Sequence, residues 1–244
     1  MNWHERYLQQ ARWTRDLRAY LFARAGIERA ERVLEVGCGT GAILRDLPPL
    51  PALHGLDLRP ASLMEARLHA PAASLTCGDA LRLPYAAQTF DITCCHFLLL
   101  WVADPLQALT EMKRVTRRGG HVLALAEPDY SARLDQPDEL IPLGRWQTES
   151  LRRQGANPSM GGRLAEAFFQ AGIELLETGA LQSVGGEAQT SEEWELEWAV
   201  LRSDLAALLT EAEIRRFEEL DRRARERGQR VLHVPTYFAW GRRQ

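Results

Sequence analysis

One nine-residue stretch restricts the fold more than any other. Val33-Leu34-Glu35-Val36 is an apolar run holding a single acid, and it stops on Gly37-Cys38-Gly39-Thr40-Gly41. Glycines at alternate positions let the backbone turn sharply and let a ligand approach with no Cβ in the way. Ala42 to Leu47 can then open a helix that Pro48-Pro49 closes. Strand, glycine loop and helix together form the first unit of an open parallel sheet. Such sheets bind ligands at the carboxyl ends of their strands.

The alternation continues down the chain. Ala52 to Leu58 reads as a strand ending on Asp57-Leu58, and Pro60 to His69 as a helix that starts at Ser62 or the turn before it. Ala73 to Cys77 is a third strand, ending on Gly78-Asp79-Ala80. Phe90 to Phe97 is a fourth, apolar enough to be buried on both faces. Asp104 to Val115 is a helix with Asp104-Pro105 as N-cap and first turn. Arg118-Gly119-Gly120 reads as a turn, and His121 to Ala126 as a fifth strand leading to Glu127-Pro128-Asp129-Tyr130. Ahead of all these, Tyr7, Leu8, Ala11, Leu17, Tyr20 and Leu21 give a helical stripe from Glu5 to Ala25, stopped by Gly26. Beyond Tyr130 the chain turns polar. Asp135 to Gly155 is helical with several arginines, Gly162 to Ala171 is helix, and Ile173 to Val184 is strand. Ser191 to Arg227 is charged helix and Arg230 to Trp240 is β-rich. The fold class is α/β: a mostly parallel sheet with helices on both faces and a helical cap insertion.

Composition excludes several function classes. The 244 residues suit one large domain, and 45% hydrophobic with 26% charged residues excludes a disordered chain, a collagen or a disulfide-stapled scaffold. A net charge of −3 gives no broad basic face for nucleic acid. The arginines from Arg215 to Arg227 alternate with Glu218, Glu219, Asp221 and Glu226, as on a solvated, salt-bridged helix. No apolar stretch reaches the roughly 18 residues of a membrane span. Met1 to Arg6 is charged and no apolar segment follows it, so no signal peptide is expected. Cys38, Cys77, Cys94 and Cys95 form no C-x-x-C pair and no zinc-type spacing, so no metal site is expected and a reducing cytoplasm fits. Cys94 and Cys95 read as small buried residues of a central strand.

The loop also separates two cofactors. A dinucleotide loop is G-x-G-x-x-G and cradles a pyrophosphate. Here the spacing is G-x-G-x-G, and Glu35 stands two residues ahead of it, where it would repel a pyrophosphate and suit a positive group. Asp57, about twenty residues on at the end of the next strand, can accept hydrogen bonds from both hydroxyls of a ribose.

With these residues in place, the stretch from Arg32 to Tyr130 resembles the class I S-adenosylmethionine-dependent methyltransferases. It is most similar to their small-molecule branch of type 11 and ubiquinone/menaquinone-biosynthesis enzymes. The resemblance implies a Rossmann-like sheet of seven strands with the last one antiparallel. It implies S-adenosyl-L-methionine as cofactor, S-adenosyl-L-homocysteine as product, and in-line methyl transfer to a small molecule. It also implies cofactor contacts from Glu35, Gly37, Cys38 and Gly39 around the methionine part, and from Asp57 and Leu58 at the ribose and adenine. Asp79 and Ala80 would lie at the adenine edge, and His96 where the backbone holds the amino group. Arg118-Gly119-Gly120-His121 matches the family's turn before the fifth strand, although Arg117-Arg118 stands where proline is frequent. The chain then reads as one domain, 1–244. It comprises an N-terminal helical lid (1–30), a cofactor-binding core (31–130), a C-terminal part with a helical cap insertion (131–228) and a final strand (229–244).

The sulfonium methyl is already electrophilic, so the protein mainly has to position the acceptor, and no triad is required. No catalytic residue is assigned; the candidates are Tyr7, His96 and Tyr130. Tyr7 and Trp13 either form a lid or pack the first helix. Glu127, Asp129 and Tyr130 follow the fifth strand toward the substrate entrance, and Arg133, Arg145 and Trp146 lie in the insertion. Trp194 and Trp198, four apart on a helix, read as core rather than substrate wall; His121 and His233 read as ordinary strand residues. The expected partner is a small-molecule substrate, with no nucleic acid, no membrane span and room for a homodimer. A NAD-type oxidoreductase and a non-catalytic cofactor-binding protein are the alternatives.

Overall fold

The computed structural model describes residues 3–181 and 190–244. Seven strands form one sheet in the spatial order β3-β2-β1-β4-β5-β9-β7. They are β1 (Arg32–Val36), β2 (Ala52–Asp57), β3 (Ser74–Cys77), β4 (Phe90–Cys95), β5 (Thr116–Pro128), β7 (Glu174–Leu181) and β9 (Thr236–Arg242). β1 to β5 pair in parallel, and β9 is antiparallel to both neighbours. The expected seven-stranded sheet with an antiparallel last strand is present.

Alternate residues of the central strands point to opposite faces. Val122 and Ala124 of β5 join one core with Leu109 and Met112 of α4 (Pro105–Val115) and Phe168 of α6 (Leu164–Gln170). Leu123 and Leu125 join the other with Leu21 and Phe22 of α2 (Arg15–Arg24) and Leu63 of α3 (Pro60–His69). Helix α4 starts where expected: Pro105 occupies the first turn and Asp104 accepts the Gln107 N–H at 2.9 Å. A cap of this kind is worth about 1 kcal/mol. Cys94 and Cys95 are fully buried in β4, as the sequence reading has them.

Four local expectations are corrected. The N-terminal helix is two, α1 (Trp3–Trp13) and α2, broken at Thr14, whose hydroxyl bonds back to the Gln10 and Ala11 carbonyls. The helix expected over Ala42–Leu47 is only a 3-10 turn, Leu44–Asp46, because Gly41 sits at φ +81° and Pro48-Pro49 leave too few residues for an α-helix. Gly119 and Gly120 form an irregularity within β5 rather than a separate turn, with Gly119 at φ +74°. The polar stretch after Tyr130 opens with a short strand before its helix, and the part of the expected strand over 182–184 lies outside the described residues.

The remaining elements form the cap. β6 (Leu134–Gln136) pairs antiparallel with β8 (Val231–His233), beside α5 (Ile141–Arg153), α7 (Ser191–Leu205) and α8 (Glu211–Glu226). Thr190/Glu193 and Thr210/Glu213 make reciprocal capping boxes at the starts of α7 and α8. Leu143, Trp194, Trp198, Leu205 and Ile214 form a hydrophobic core separate from those of the sheet. The indole N–H groups of Trp194 and Trp198 both donate to Asp221 Oδ2, at 2.6 and 2.9 Å, so the tryptophans are core as read from sequence. Pro128, Thr236 and Leu181 are paired at one level, so every chain crossing into the cap leaves from the carboxyl edge of the sheet.

Candidate active site

A cavity of about 480 Å3 opens at that carboxyl edge. This lies within the roughly 300–1,000 Å3 usual for small-molecule sites. Its walls include every residue that the resemblance put at the cofactor: Glu35, Gly37, Cys38, Gly39, Asp57, Leu58, Asp79, Ala80 and His96. The candidates Tyr7 and Tyr130 line it as well.

Loop geometry follows from the glycines. Gly37 and Gly39 sit at φ +74° and +51°, a region that L side chains avoid. A Cβ on Gly37 would come within 2.6 Å of Leu98, and one on Gly39 within 3.2 Å of the Tyr7 ring. Both Gly37 N–H and Cys38 N–H donate to the Leu56 carbonyl, at 2.7 and 2.9 Å. Asp57 then ties loop to strand: Oδ2 accepts the Gly39 N–H and Oδ1 the Arg59 N–H, each at 2.9 Å. Each oxygen keeps a second lone pair, and Asp57 lines the cavity.

Glu35 is 2% exposed, and its Oε2 has no hydrogen-bond partner among the described residues. Burial pushes its carboxyl up to about 8; nearby Arg18 opposes the rise and Asp57 adds to it. The Leu44 backbone N–H bonds to the carboxyl, but one buried oxygen in the wall of the cavity is left over, and a ligand cation would satisfy it.

His96 bonds through Nε2 to the Thr14 hydroxyl at 2.9 Å, and burial holds it well below its ordinary value, so it is a neutral ring. Phe97 beside it adopts φ +51°, a strained conformation for a bulky residue. The turn is held by Glu127, which accepts the Leu98 and Leu99 N–H groups at 2.9 Å and that of Leu100 at 3.3 Å. Glu127 is therefore a buried tie behind the loop, pushed up to about 7 by burial, and not an entrance residue. Asp129 is likewise turned away, accepting the Ser131 N–H at 2.9 Å.

The cap contributes residues that the sequence did not indicate. Arg145 and Trp146 are exposed on α5, and Arg133 pairs with Asp135 at 2.7 Å. The cavity is lined instead by Gln147, Leu151 and Gln154, by Val200 and Asp204 of α7, and by Arg6 of α1. The one usable signal was the four-residue spacing Leu143-Gln147-Leu151, which marks the inward face of α5. Tyr7 packs over Gly39 while Trp13 faces the Arg6 guanidinium, so only Tyr7 covers the loop.

His4, Glu65 and His69 have ligand-type atoms within 4.8 Å of one another, a grouping that the sequence spacing does not reveal. The two imidazoles are stacked, centroids 3.5 Å apart and planes 9° apart. Their in-plane lone pairs run side by side instead of converging, so no metal is assigned. His4 Nδ1 bonds to Thr40 Oγ1 at 2.7 Å, tying α1 to the glycine loop.

Parallel sheet, glycine loop and acids at three strand ends define a class I methyltransferase fold. Residues 34–124 match the family model described as Methyltransferase domain. Among curated relatives, a demethylmenaquinone methyltransferase of Deinococcus radiodurans is 40% identical over 104 residues, 40% of this chain and 43% of that protein. The chain spans about half the length of the curated relatives it matches. Among solved structures, the [4+2]-cyclase SpnF superposes with a TM-score of 0.62 at 21% identity, over 94% of this chain and 80% of that one. Geranyl diphosphate C-methyltransferase from Streptomyces coelicolor, crystallised with S-adenosyl-L-homocysteine, gives 0.54 at 13% identity over 88% and 71%. No helix among the described residues is long and apolar enough to cross a membrane.

Proposed function

We propose that this protein transfers a methyl group from S-adenosylmethionine to a small-molecule acceptor by in-line displacement. One observation carries the reading: the buried, unpartnered Glu35 oxygen in a wall shared with Gly37, Gly39, Asp57 and Asp79. The missing partner is a cation, which the methionyl ammonium supplies and the pyrophosphate of a dinucleotide does not. The family match over 34–124 supports the same cofactor.

The residues divide by chemistry. Glu35 and the backbone of Gly37 to Gly39 would hold the methionine end, and Asp57 the ribose hydroxyls through its free lone pairs. Leu58 and Ala80 would flank the adenine, with Asp79 at its edge. When bound, the cofactor supplies a methyl group on a sulfonium, already a strong electrophile. The chain's own task is to orient the acceptor and exclude water, which the apolar walls Phe97, Leu100, Trp101 and Leu151 favour. All lining residues come from one chain, so the reading requires no second copy. Four free cysteines, three of them buried, support action in a reducing cytoplasm.

Titration calorimetry tests the assignment. S-adenosylmethionine and S-adenosylhomocysteine should bind with NAD at least about a hundredfold weaker, a gap of roughly 2.7 kcal/mol. Comparable NAD affinity would return the oxidoreductase reading. SpnF shares the fold under the name of a cyclase, so turnover needs its own measure: S-adenosylhomocysteine formation across a panel of small metabolites. Cofactor binding without any turnover would favour the non-catalytic alternative.

A further inference from the structure

Beyond the residues read as the cofactor's, the cavity is lined from α1, α5 and α7, and we take this part as the acceptor compartment. Asp204, in the last turn of α7, lines it. Oδ1 accepts the Gln154 amide N–H at 3.1 Å, and Oδ2 that of Gln147 at 3.4 Å.

The orientation of Gln147 is not arbitrary. Its Oε1 accepts from the Arg133 guanidinium, which can only donate, so its NH2 must face Asp204. Arg133 is fixed in turn by Asp135, Asp135 by Arg230 at 2.8 Å, and Arg230 by Asp221, which holds the two cap tryptophans. The side chains of Arg133, Asp135, Arg230 and Asp221 are each less than 10% exposed. This buried chain of alternating charge runs through the cap and ends at one carboxylate facing the cavity.

Gln154 gives its two amide N–H groups to Asp204 and Ser150, and Gln147 gives one of its two to Asp204. The remaining lone pairs of the Asp204 carboxylate are the acceptor capacity offered to a ligand. Arg6, the cation of the same compartment, donates to Gln9 and lies over Trp13 at 4.9 Å, yet its field still reaches Asp204 and opposes the rise that burial gives the carboxyl. Arg6 offsets part of the Asp204 charge, which lessens the call for a full cation, while the carboxylate oxygens facing the cavity disfavour an anion. The surrounding walls, Leu100, Leu151 and Val200, are apolar.

We infer that Asp204 is the specificity-determining residue of the acceptor compartment. It accepts the O–H of an uncharged, apolar, hydroxyl-bearing acceptor and rejects carboxylates. This rests on the methyltransferase reading, since it takes the Glu35–Asp57–Asp79 side as the cofactor's.

The test uses whole protein loaded with S-adenosylhomocysteine and three matched probes: 2-naphthol, 2-naphthoate and 2-naphthylmethylammonium. Calorimetry should show 2-naphthol binding at least about tenfold tighter than 2-naphthoate, because like charges placed together are strongly disfavoured. It should also bind tighter than the ammonium. Asp204→Asn should bring naphthol and naphthoate within about threefold of each other, with S-adenosylhomocysteine affinity unchanged as the sign of an intact fold. Arg133→Met, which frees the Gln147 amide, should narrow the same gap partway. Naphthoate or the ammonium binding as well as naphthol in the wild type would overturn the inference. So would a gap that survives Asp204→Asn, or no binding of any probe to the loaded protein. Failure of S-adenosylhomocysteine itself to bind would instead strike the functional reading.

Discussion

Replacing Glu35 by glutamine should stabilise the ligand-free protein while weakening its hold on the cofactor. The folded carboxyl titrates near 8, against an ordinary value of 4.5, because burial disfavours its charge. Below pH 4.5 the group is protonated folded or unfolded and contributes nothing. Between 4.5 and 8 only the folded state binds the proton, so stability falls as pH rises, and above 8 the loss is complete. At pH 7 the gap spans two and a half pH units at 1.36 kcal/mol each, a penalty of about 3 kcal/mol. Glutamine cannot ionise and escapes it. Urea denaturation of both proteins at intervals from pH 4.5 to 8.5 gives a difference curve, in which Glu127 and the histidines cancel. That curve should rise from near zero to about 3 kcal/mol in favour of Glu35→Gln at pH 7. A ligand ammonium reverses the sign of the argument, because it needs the ionised carboxylate. Wild-type protein should therefore release close to one proton on binding S-adenosylhomocysteine at pH 7, read by calorimetry in buffers of different ionisation enthalpy. Glu35→Gln should release none and bind about ten- to hundredfold more weakly. A flat difference curve, or wild-type binding without proton release, would refute the reasoning.

Three further outcomes are expected. Asp57→Ala should weaken S-adenosylhomocysteine about ten- to hundredfold, since hydrogen bonds to a charged group are worth roughly 1.5–3 kcal/mol; unchanged affinity by calorimetry would place the ribose elsewhere. Asp221→Ala strands two indole N–H groups and the Arg230 guanidinium, and should cost about 3–5 kcal/mol in denaturant unfolding followed by tryptophan fluorescence. In hydrogen exchange, S-adenosylhomocysteine should protect α1 and α7 as well as the Gly37–Gly41 loop, as expected if these helices close over the site; protection confined to the loop and the strand ends would mean an open site.

What was legible in the sequence was what local chemistry fixes. Gly37, Gly39, Asp57 and Asp79 sit where strands end, and glycine or a carboxylate at a strand end carries its meaning within a few residues. Helix α4 was legible for the same reason, through Asp104-Pro105. The acceptor side was not. Gln147, Gln154 and Asp204 line one cavity because α5 and α7 bring them together, and nothing near any one of them in sequence announces the other two. Arg145 and Trp146 drew notice by residue type, yet Arg145 stands opposite Leu143 and Leu151 on α5 and Trp146 at the margin of that inward face, and both are exposed. Glu127 misled differently: an acid just past a parallel strand reads as functional, while three backbone N–H groups of the neighbouring loop had claimed it. The short turn at Leu44–Asp46 shows propensity yielding to its flanks, a left-handed glycine on one side and two prolines on the other.

Helix α1 is a party wall. One side of it reaches the glycine loop through His4 on Thr40 and Tyr7 over Gly39. The other reaches the cap, where the Gln9 amide donates to the Glu193 carbonyl at 3.1 Å, and Arg6 stands in the acceptor compartment. A segment of eleven residues thus touches both tenants, and whatever steadies it for one steadies it for the other. On the proposed reading, any factor by which the cofactor raises acceptor affinity is the factor by which the acceptor raises the cofactor's. Any extension or trimming of this end of the chain should then act on both affinities together.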